Sequence, residues 1–251
     1  MKVLRCTGLT KSFGGVQVLK DFSIGFTNKD IARVGIIGPN GAGKTTLFNI
    51  LTGFLRPDTG RCFFGNHEIT HLSPYQIAQL GVVRTFQDLR LILQIPVLEN
   101  VLLGRPRQHG EKLLRAISRF SVAKEETQNR KDAMLLLEFV GLESKAKVLA
   151  GELSYGQQKL LALACCLATG AQVLLLDEPV AGVHPKMALR ILDLLRQLHT
   201  EGKLVIFIEH DISAIRHAAD EVIVMDNGQL IARGKPNEVL ERPEIMEAYL
   251  A

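Results

Sequence analysis

The sequence of 251 residues has no run of about 20 predominantly apolar residues, the length that a membrane-spanning helix requires. Its longest weakly charged stretch, Leu160 to Leu176, is interrupted by Thr169, Gly170 and Gln172. It reads as the end of a buried helix, a turn at Gly170 and a short strand from Val173 to Leu176. Behind Lys2 and Arg5 there is no apolar run, so Met1 to Cys6 does not resemble a secretory leader and a cytoplasmic location is expected. Cysteine is scarce: Cys6, Cys62, Cys165 and Cys166 show no C-x-x-C spacing and are expected as reduced core residues. Net charge is small as well, 30 Lys+Arg against 26 Asp+Glu giving +4. With 47% hydrophobic residues, that excludes an intrinsically disordered chain. Gly and Pro, at 22 and 9, fit neither a collagen nor a linker. The basic excess concentrates between Arg105 and Lys131, without the aromatic interleaving of a nucleic-acid surface. It reads as a solvated or protein-facing helical surface, and no nucleic-acid partner is expected.

There is also no low-complexity segment and no internal repeat, so the chain is expected to fold as one compact unit. The first sixty residues carry β-type runs, Val3 to Leu9, Val16 to Ile24 and Val34 to Ile37, punctuated by Gly14-Gly15 and Gly38. A helix is expected to begin near Lys44, and the turn Pro57-Asp58-Thr59-Gly60 leads into a short strand at Cys62-Phe63-Phe64. From about Leu98 to Thr169, Leu and Ala recur at helical spacing, which reads as a helical insertion. Strand and helix then alternate: strand 173 to 176, helix Lys186 to His199, strand Leu204 to Ile208, helix Ile212 to His217, strand Val222 to Met225. That alternation implies a parallel sheet with helices on its faces. Asp226-Asn227-Gly228 reads as a hairpin turn, and Pro236 as the first position of a C-terminal helical tail.

Gly38-Pro39-Asn40-Gly41-Ala42-Gly43-Lys44-Thr45 fits G-x-x-x-x-G-K-[ST], with a β-branched strand entering it and a helix leaving it. Glycines let such a loop point its N–H groups inward at phosphate oxygens, and the helix presents its positive end to the same anion. Lys44 adds a point charge, and the Thr45 hydroxyl can ligate Mg²⁺. Thr46 completes the nucleotide-binding segment. Val173-Leu174-Leu175-Leu176-Asp177-Glu178 is an apolar strand ending in two carboxylates, at the sheet edge where ligands of open α/β sheets bind. Asp177 is expected to hold Mg²⁺, and Glu178 to accept a proton from the water that attacks the terminal phosphorus.

These two motifs specify a P-loop NTPase. Leu153-Ser154-Tyr155-Gly156-Gln157-Gln158 narrows it, because it resembles the L-S-G-G-Q signature of ATP-binding-cassette (ABC) ATPases, with Ser154 nineteen residues before Val173. Gln87, in Arg84-Thr85-Phe86-Gln87, matches the Q-loop glutamine of that family; Pro179 to Pro185 matches the D-loop, and His210, in Ile208-Glu209-His210-Asp211, the switch histidine. Phe13 occupies the place of the aromatic that stacks on adenine. Six motifs stand in the family's order, and the resemblance covers essentially the whole chain.

The resemblance implies an α/β P-loop fold with a mainly parallel sheet, an N-terminal antiparallel β-subdomain and an inserted helical subdomain. The chain is then a single ABC ATPase domain, 1–251, with a RecA-like core over about 1–87 and 170–251 and a helical subdomain over about 88–169. The implied ligands are ATP and Mg²⁺. Glu178, His210, Gln87 and Lys44 are the implied catalytic set, and Thr45, Gln87 and Asp177 the metal set. Nucleotide would be bound by Phe13, by Gly38, Pro39, Asn40, Gly41, Ala42, Gly43, Lys44, Thr45 and Thr46, and by Ser154, Gly156 and Gln157. The last three act in trans: family members pair head to tail, each ATP lying between the phosphate loop of one subunit and the signature segment of the other. Implied partners are a second ATPase subunit, identical or related, transmembrane permease subunits and, indirectly, a substrate-binding protein. The implied location is peripheral, on the cytoplasmic face of the membrane.

Two departures stand out: Tyr155 replaces the first glycine of the signature pair, and His184 stands where many members have Asp. Ser154 and Gly156 remain, so ATP contact is expected to survive. Leu153-Ser154-Tyr155-Gly156, the D-loop Pro179-Val180-Ala181-Gly182-Val183-His184-Pro185, the long interval from Gln87 to Ser154 and the tail Pro243 to Leu250 resemble importers of branched-chain and related hydrophobic amino acids. Importers of urea and short amides belong to the same wider group. Lipopolysaccharide-type exporters and soluble ABC ATPases of translation or cluster assembly are the alternatives. His67-Glu68-Ile69-Thr70-His71 spells the H-E-x-x-H of zinc proteases, but that motif works only on a helix. Gly65-Asn66 makes a turn just before it and the β-branched Ile69 and Thr70 disfavour a short helix, while the resemblance to ABC ATPases implies a strand and turn here, so no zinc is expected.

Overall fold

A computed structural model describes residues 3–27, 33–85, 89–106, 119–200, 202–243 and 245. Its contacts divide the chain into one unit of Met1–Gln87, Gln172–Ala181 and Pro185–Ala251, and another of Asp88–Ala171 and Gly182–His184.

Two sheets build the first unit. β1 (Val3–Phe13), β2 (Val16–Thr27), β4 (Thr59–Phe64) and β5 (His67–Glu68) form an antiparallel sheet in the order β2-β1-β4-β5. β3 (Arg33–Ile37), β6 (Val82–Arg84), β7 (Val173–Asp177), β8 (Leu204–Ile208), β9 (Glu221–Asp226) and β10 (Gln229–Gly234) form the other, in the order β10-β9-β3-β8-β7-β6. Every pairing in it is parallel except the β9-β10 hairpin, where Asn227 turns at φ 47. β7 and β8 are buried at every residue, the state of a parallel strand covered on both faces, and their unbroken apolar composition reflects it. Helices α1 (Lys44–Leu51), α2 (Pro74–Leu80), α6 (Pro185–Thr200), α7 (Ile212–Ala218) and the single turn α8 (Pro236–Val239) complete the unit. Phe22, Phe26, Phe48, Leu47, Ile36 and Ile206 meet in one core that joins both sheets to α1.

The second unit is helical: α3 (Val97–Leu103), α4 (Arg119–Val140), two short 3-10 turns and α5 (Tyr155–Ala168). Val101, Leu137, Leu160 and Ala164 are buried among them. The buried Asn100 organises the approach to α3, accepting from Ile92 N–H at 2.9 Å and donating to Ile92 O at 3.0 Å. Among the described residues, Arg105, just past α3, pairs with Asp132 of α4 at 2.5 Å, and Arg130 of α4 with Glu99 of α3 at 3.0 Å. Among the described residues no helix is long and apolar enough to cross a membrane.

The structure refines three expectations. β1 runs on to Phe13, because its polar end pairs across the Gly14-Gly15 hairpin with Val16 and Gln17. Cys6 and Cys62 are core residues facing each other across β1 and β4, but Cys165 and Cys166 are only half-buried. Burial pushes the Cys6 thiol up to about 12 and raises that of Cys62 as well. His67-Glu68 is a strand paired with β4, so His67 and His71 never share the face of a helix.

Candidate functional site

The phosphate loop leaves β3 and enters α1. A Cβ on Gly38 would collide with the carbonyl of Met225, so only glycine lets the loop pass β9. Gly43 sits at the N-cap of α1 with φ 95 and offers no side chain to its N–H groups. A Cβ there would lie 2.8 Å from Val18 O. The first turn of α1 therefore keeps an uncapped positive end, an anion site by construction. Lys44 Nζ donates to Gly38 O at 2.6 Å and to Pro39 O at 2.9 Å, folding the ammonium back over the loop. Burial pushes its pKa below the usual lysine value, while Glu178 and then Asp177 pull it up.

This loop and the ends of two strands line a cavity of about 340 Å³. Asn40, Gly41, Ala42, Gly43, Lys44, Thr45 and Thr46 form one wall, and Val18, Glu178, Ile208 and His210 the rest. His210 Nε2 lies 3.2 Å from Glu178 Oε1, which brings together two residues that sequence places 32 positions apart, counted 210 − 178. Glu178 has φ 47, a left-handed conformation that costs a residue with a Cβ about 1–2 kcal/mol. Its backbone is held by Glu178 N–H donating to Ile208 O at 3.0 Å and Ala181 N–H to Glu178 O at 3.2 Å, and the turn that follows by Val180 N–H donating to Glu209 Oε1 at 2.8 Å.

Asp177 is buried beside this wall. Its carboxylate pairs with Arg84 at 2.6 Å, and the same guanidinium donates to Asn49 Oδ1 at 2.6 Å while lying 5.4 Å over the Phe48 ring. The hydroxyl of Thr45 and the carboxylate of Asp177 are hard oxygen donors, the type that Mg²⁺ selects. A loop with an uncapped helix end and a buried ammonium fits a polyphosphate.

Phe13 is half exposed at the tip of the β1-β2 hairpin, outside the cavity lining. Lys11 Nζ lies 5.7 Å over its ring and also binds Asp58 at 2.6 Å, which ties the hairpin to the 57–60 turn. That bond to Lys11, with a second from Ser12 N–H, lowers the Asp58 pKa. Gln87 lies outside the described residues. Ser154, Gly156 and Gln157 belong to the helical unit, at the start of α5. There Gln157 N–H donates to Ser154 Oγ at 3.4 Å and Ser154 N–H to Gln157 Oε1 at 3.1 Å, a capping box. Tyr155 is exposed beside it, close to Gly182, with Lys159 Nζ 5.3 Å over its ring. His184 is exposed.

Sequence reasoning passed over Arg84, Asn49, Val18 and Glu209. The signal for two of them was visible: Arg84 ends a strand whose other residues are Val, and Glu209 follows β8 as Glu178 follows β7.

Comparison with known proteins bears on the same segments. Residues 21–181 match the ABC transporter family. Over 250 residues the chain is 38% identical to the probable branched-chain amino acid transport ATP-binding protein LivG of Archaeoglobus fulgidus, covering 100% of this chain and 96% of that protein. It is 36% identical to the high-affinity branched-chain amino acid transport ATP-binding protein BraF of Pseudomonas aeruginosa, covering 99% and 97%. Among solved structures, the ADP conformation of an ATP-binding cassette of an ABC transporter superposes with a TM-score of 0.85 at 36% identity, over 100% of this chain and 99% of the other. The fold, the phosphate loop with its paired strand ends and the full-length similarity agree: the chain belongs to the ABC transporter family, as one of its ATP-binding cassettes.

Proposed function

We propose that this chain is the ATP-hydrolysing subunit of an importer for branched-chain or related amino acids, or for small amides such as urea. It works as a head-to-tail pair with a second, identical or related, cassette, peripheral on the cytoplasmic face and attached to separate permease subunits that receive cargo from a substrate-binding protein. The observation that carries the ATPase reading is the Glu178–His210 contact on the wall of the cavity that Lys44 and Thr45 line. The full-length similarity to branched-chain amino acid transport proteins supports the choice of cargo.

In this reading the α1 N-terminus and Lys44 bind the β- and γ-phosphates of ATP, and Phe13 supports the adenine. Thr45 and Asp177 would hold Mg²⁺, with Gln87 as a further ligand, and the ion would supply charge neutralisation at the phosphate oxygens. Glu178 accepts the proton of the attacking water, and His210, 3.2 Å from that carboxylate, fixes its position. Ser154, Gly156 and Gln157 of the partner cassette close over the γ-phosphate, and its loss on hydrolysis reopens the pair.

Glu178→Gln tests the assignment. It keeps the phosphate cradle, so ATP binding is retained, while turnover falls by about 10²–10⁴-fold and the pair accumulates in its closed form. Parental turnover in that variant contradicts the base assignment. Import is tested by uptake of radiolabelled leucine and of urea into vesicles that contain this chain with its copurifying permease.

A further inference from the structure

Glu209 is one of the few charged residues withdrawn from water, 2% exposed, and it lies outside the catalytic set described above. It joins three elements. Its backbone N–H donates to Ile36 O of β3, the strand that enters the phosphate loop, at 3.3 Å. Its carboxylate accepts from Val180 N–H at 2.8 Å, in the turn that follows Glu178. Along the chain it sits between Ile208, whose carbonyl accepts from Glu178 N–H, and His210, whose ring meets the Glu178 carboxylate. The left-handed Glu178 thus has its backbone held on one side by Ile208 and the turn behind it held by Glu209. Strained residues persist only where their surroundings over-determine them.

We propose that Glu209 is a positioning residue: its buried carboxylate clamps the Pro179–Ala181 turn to the end of β8, and so keeps Glu178 aimed at His210 and the attacking water. The bond to Val180 N–H requires an acceptor oxygen at this reach, which a glutamine amide oxygen also supplies. It rests on Glu178 being the proton acceptor. The nucleotide itself is bound by the loop and Lys44, whereas the Glu209 carboxylate holds the turn after Glu178, so its loss is expected to act on turnover and to leave ATP affinity in place.

Three variants of the full chain decide it, each measured for steady-state kcat and for Kd of a fluorescent ATP analogue. Glu209→Gln keeps an acceptor at the same reach and is expected to hold kcat within about threefold. Glu209→Asp keeps the charge but withdraws the oxygen by one methylene, and Glu209→Met removes it; both are expected to lose about 10- to 100-fold in kcat, with Kd within about twofold of parental. Parental kcat in Glu209→Asp, or a loss in Glu209→Gln as large as in Glu209→Asp, overturns the proposal. So does a Kd that rises in step with the fall in kcat. If Glu209→Met does not fold, the Asp and Gln pair still decides. Glu178→Gln run in parallel separates the two readings: an active Glu178→Gln removes the base assignment and the clamp with it, whereas an inactive one beside an active Glu209→Asp removes the clamp alone.

Discussion

Two helix N-termini in this chain, both assigned to phosphate in the proposed function, are finished in opposite ways. At α1 the N-cap is a glycine in the left-handed region, with no side chain to satisfy the first N–H groups. At α5 the N-cap is Ser154, and it and Gln157 satisfy each other's backbone. An uncapped end costs stability until an anion arrives, so the α1 end is poised to bind. A boxed end is stable without a ligand. The difference suits a division of labour in which one end captures ATP within a single chain and the other engages only when a partner cassette presents a phosphate.

The strongest way to break that comparison is to disable the open end. Lys44→Ala removes charge-assisted hydrogen bonds worth about 1.5–3 kcal/mol each and is expected to weaken ATP binding by at least about 100-fold in equilibrium titration. Retained affinity would show that the loop backbone suffices without the ammonium. Phe13→Ala is the next largest: loss of a base–aromatic stack of about 1–3 kcal/mol lowers ATP affinity while leaving the Mg²⁺ dependence unchanged. Ser154→Ala addresses the boxed end. It costs about 1 kcal/mol of stability in denaturant unfolding and weakens ATP-driven pairing, yet leaves the Kd of the single chain for ATP unaltered. A shifted single-chain Kd would mean that the α5 end already takes part in capture. The smallest effect is a proton. Burial lowers the Lys44 pKa before nucleotide arrives, and phosphate oxygens favour its charged form, so binding raises it again. As pH climbs from the lowered value toward the ordinary lysine range, ATP binding takes up a fraction of a proton and affinity declines. Calorimetry in two buffers of different ionisation enthalpy reads that uptake directly.

What could be read in the chain beforehand follows the same division. Gly38 to Thr45 was legible because each position answers to a backbone shape or to a phosphate, and both constraints are local. β7 and β8 were legible because burial on both faces leaves no polar position in them until the carboxylates at their ends. The contacts that hold those carboxylates were not. Arg84 lies 93 residues from Asp177 and 35 from Asn49, and neither charge nor spacing reveals which distant acceptor a lone arginine will meet. The Glu209–Val180 bond escaped for a different reason: its donor is a backbone N–H, which carries no residue signature at all. The half-buried state of Cys165 and Cys166 depends on which face of α5 meets α3 and α4, and an apolar run without clear periodicity leaves that open.

The Arg84–Asp177 pair has a consequence for how this site can change over generations. Deleting one partner of a buried ion pair strands the other, at about 3–5 kcal/mol, a large share of the margin by which a domain this size is stable. Lysine cannot take over at 84, because a single ammonium does not reproduce the planar fork that meets both Asp177 and Asn49. Any lineage that abandons this arrangement must therefore replace position 84 together with its partners, and single-step drift is closed. Redesign of Asp177, the proposed Mg²⁺ ligand, faces the same constraint: it begins on the neighbouring strand and on α1, with a three-residue exchange.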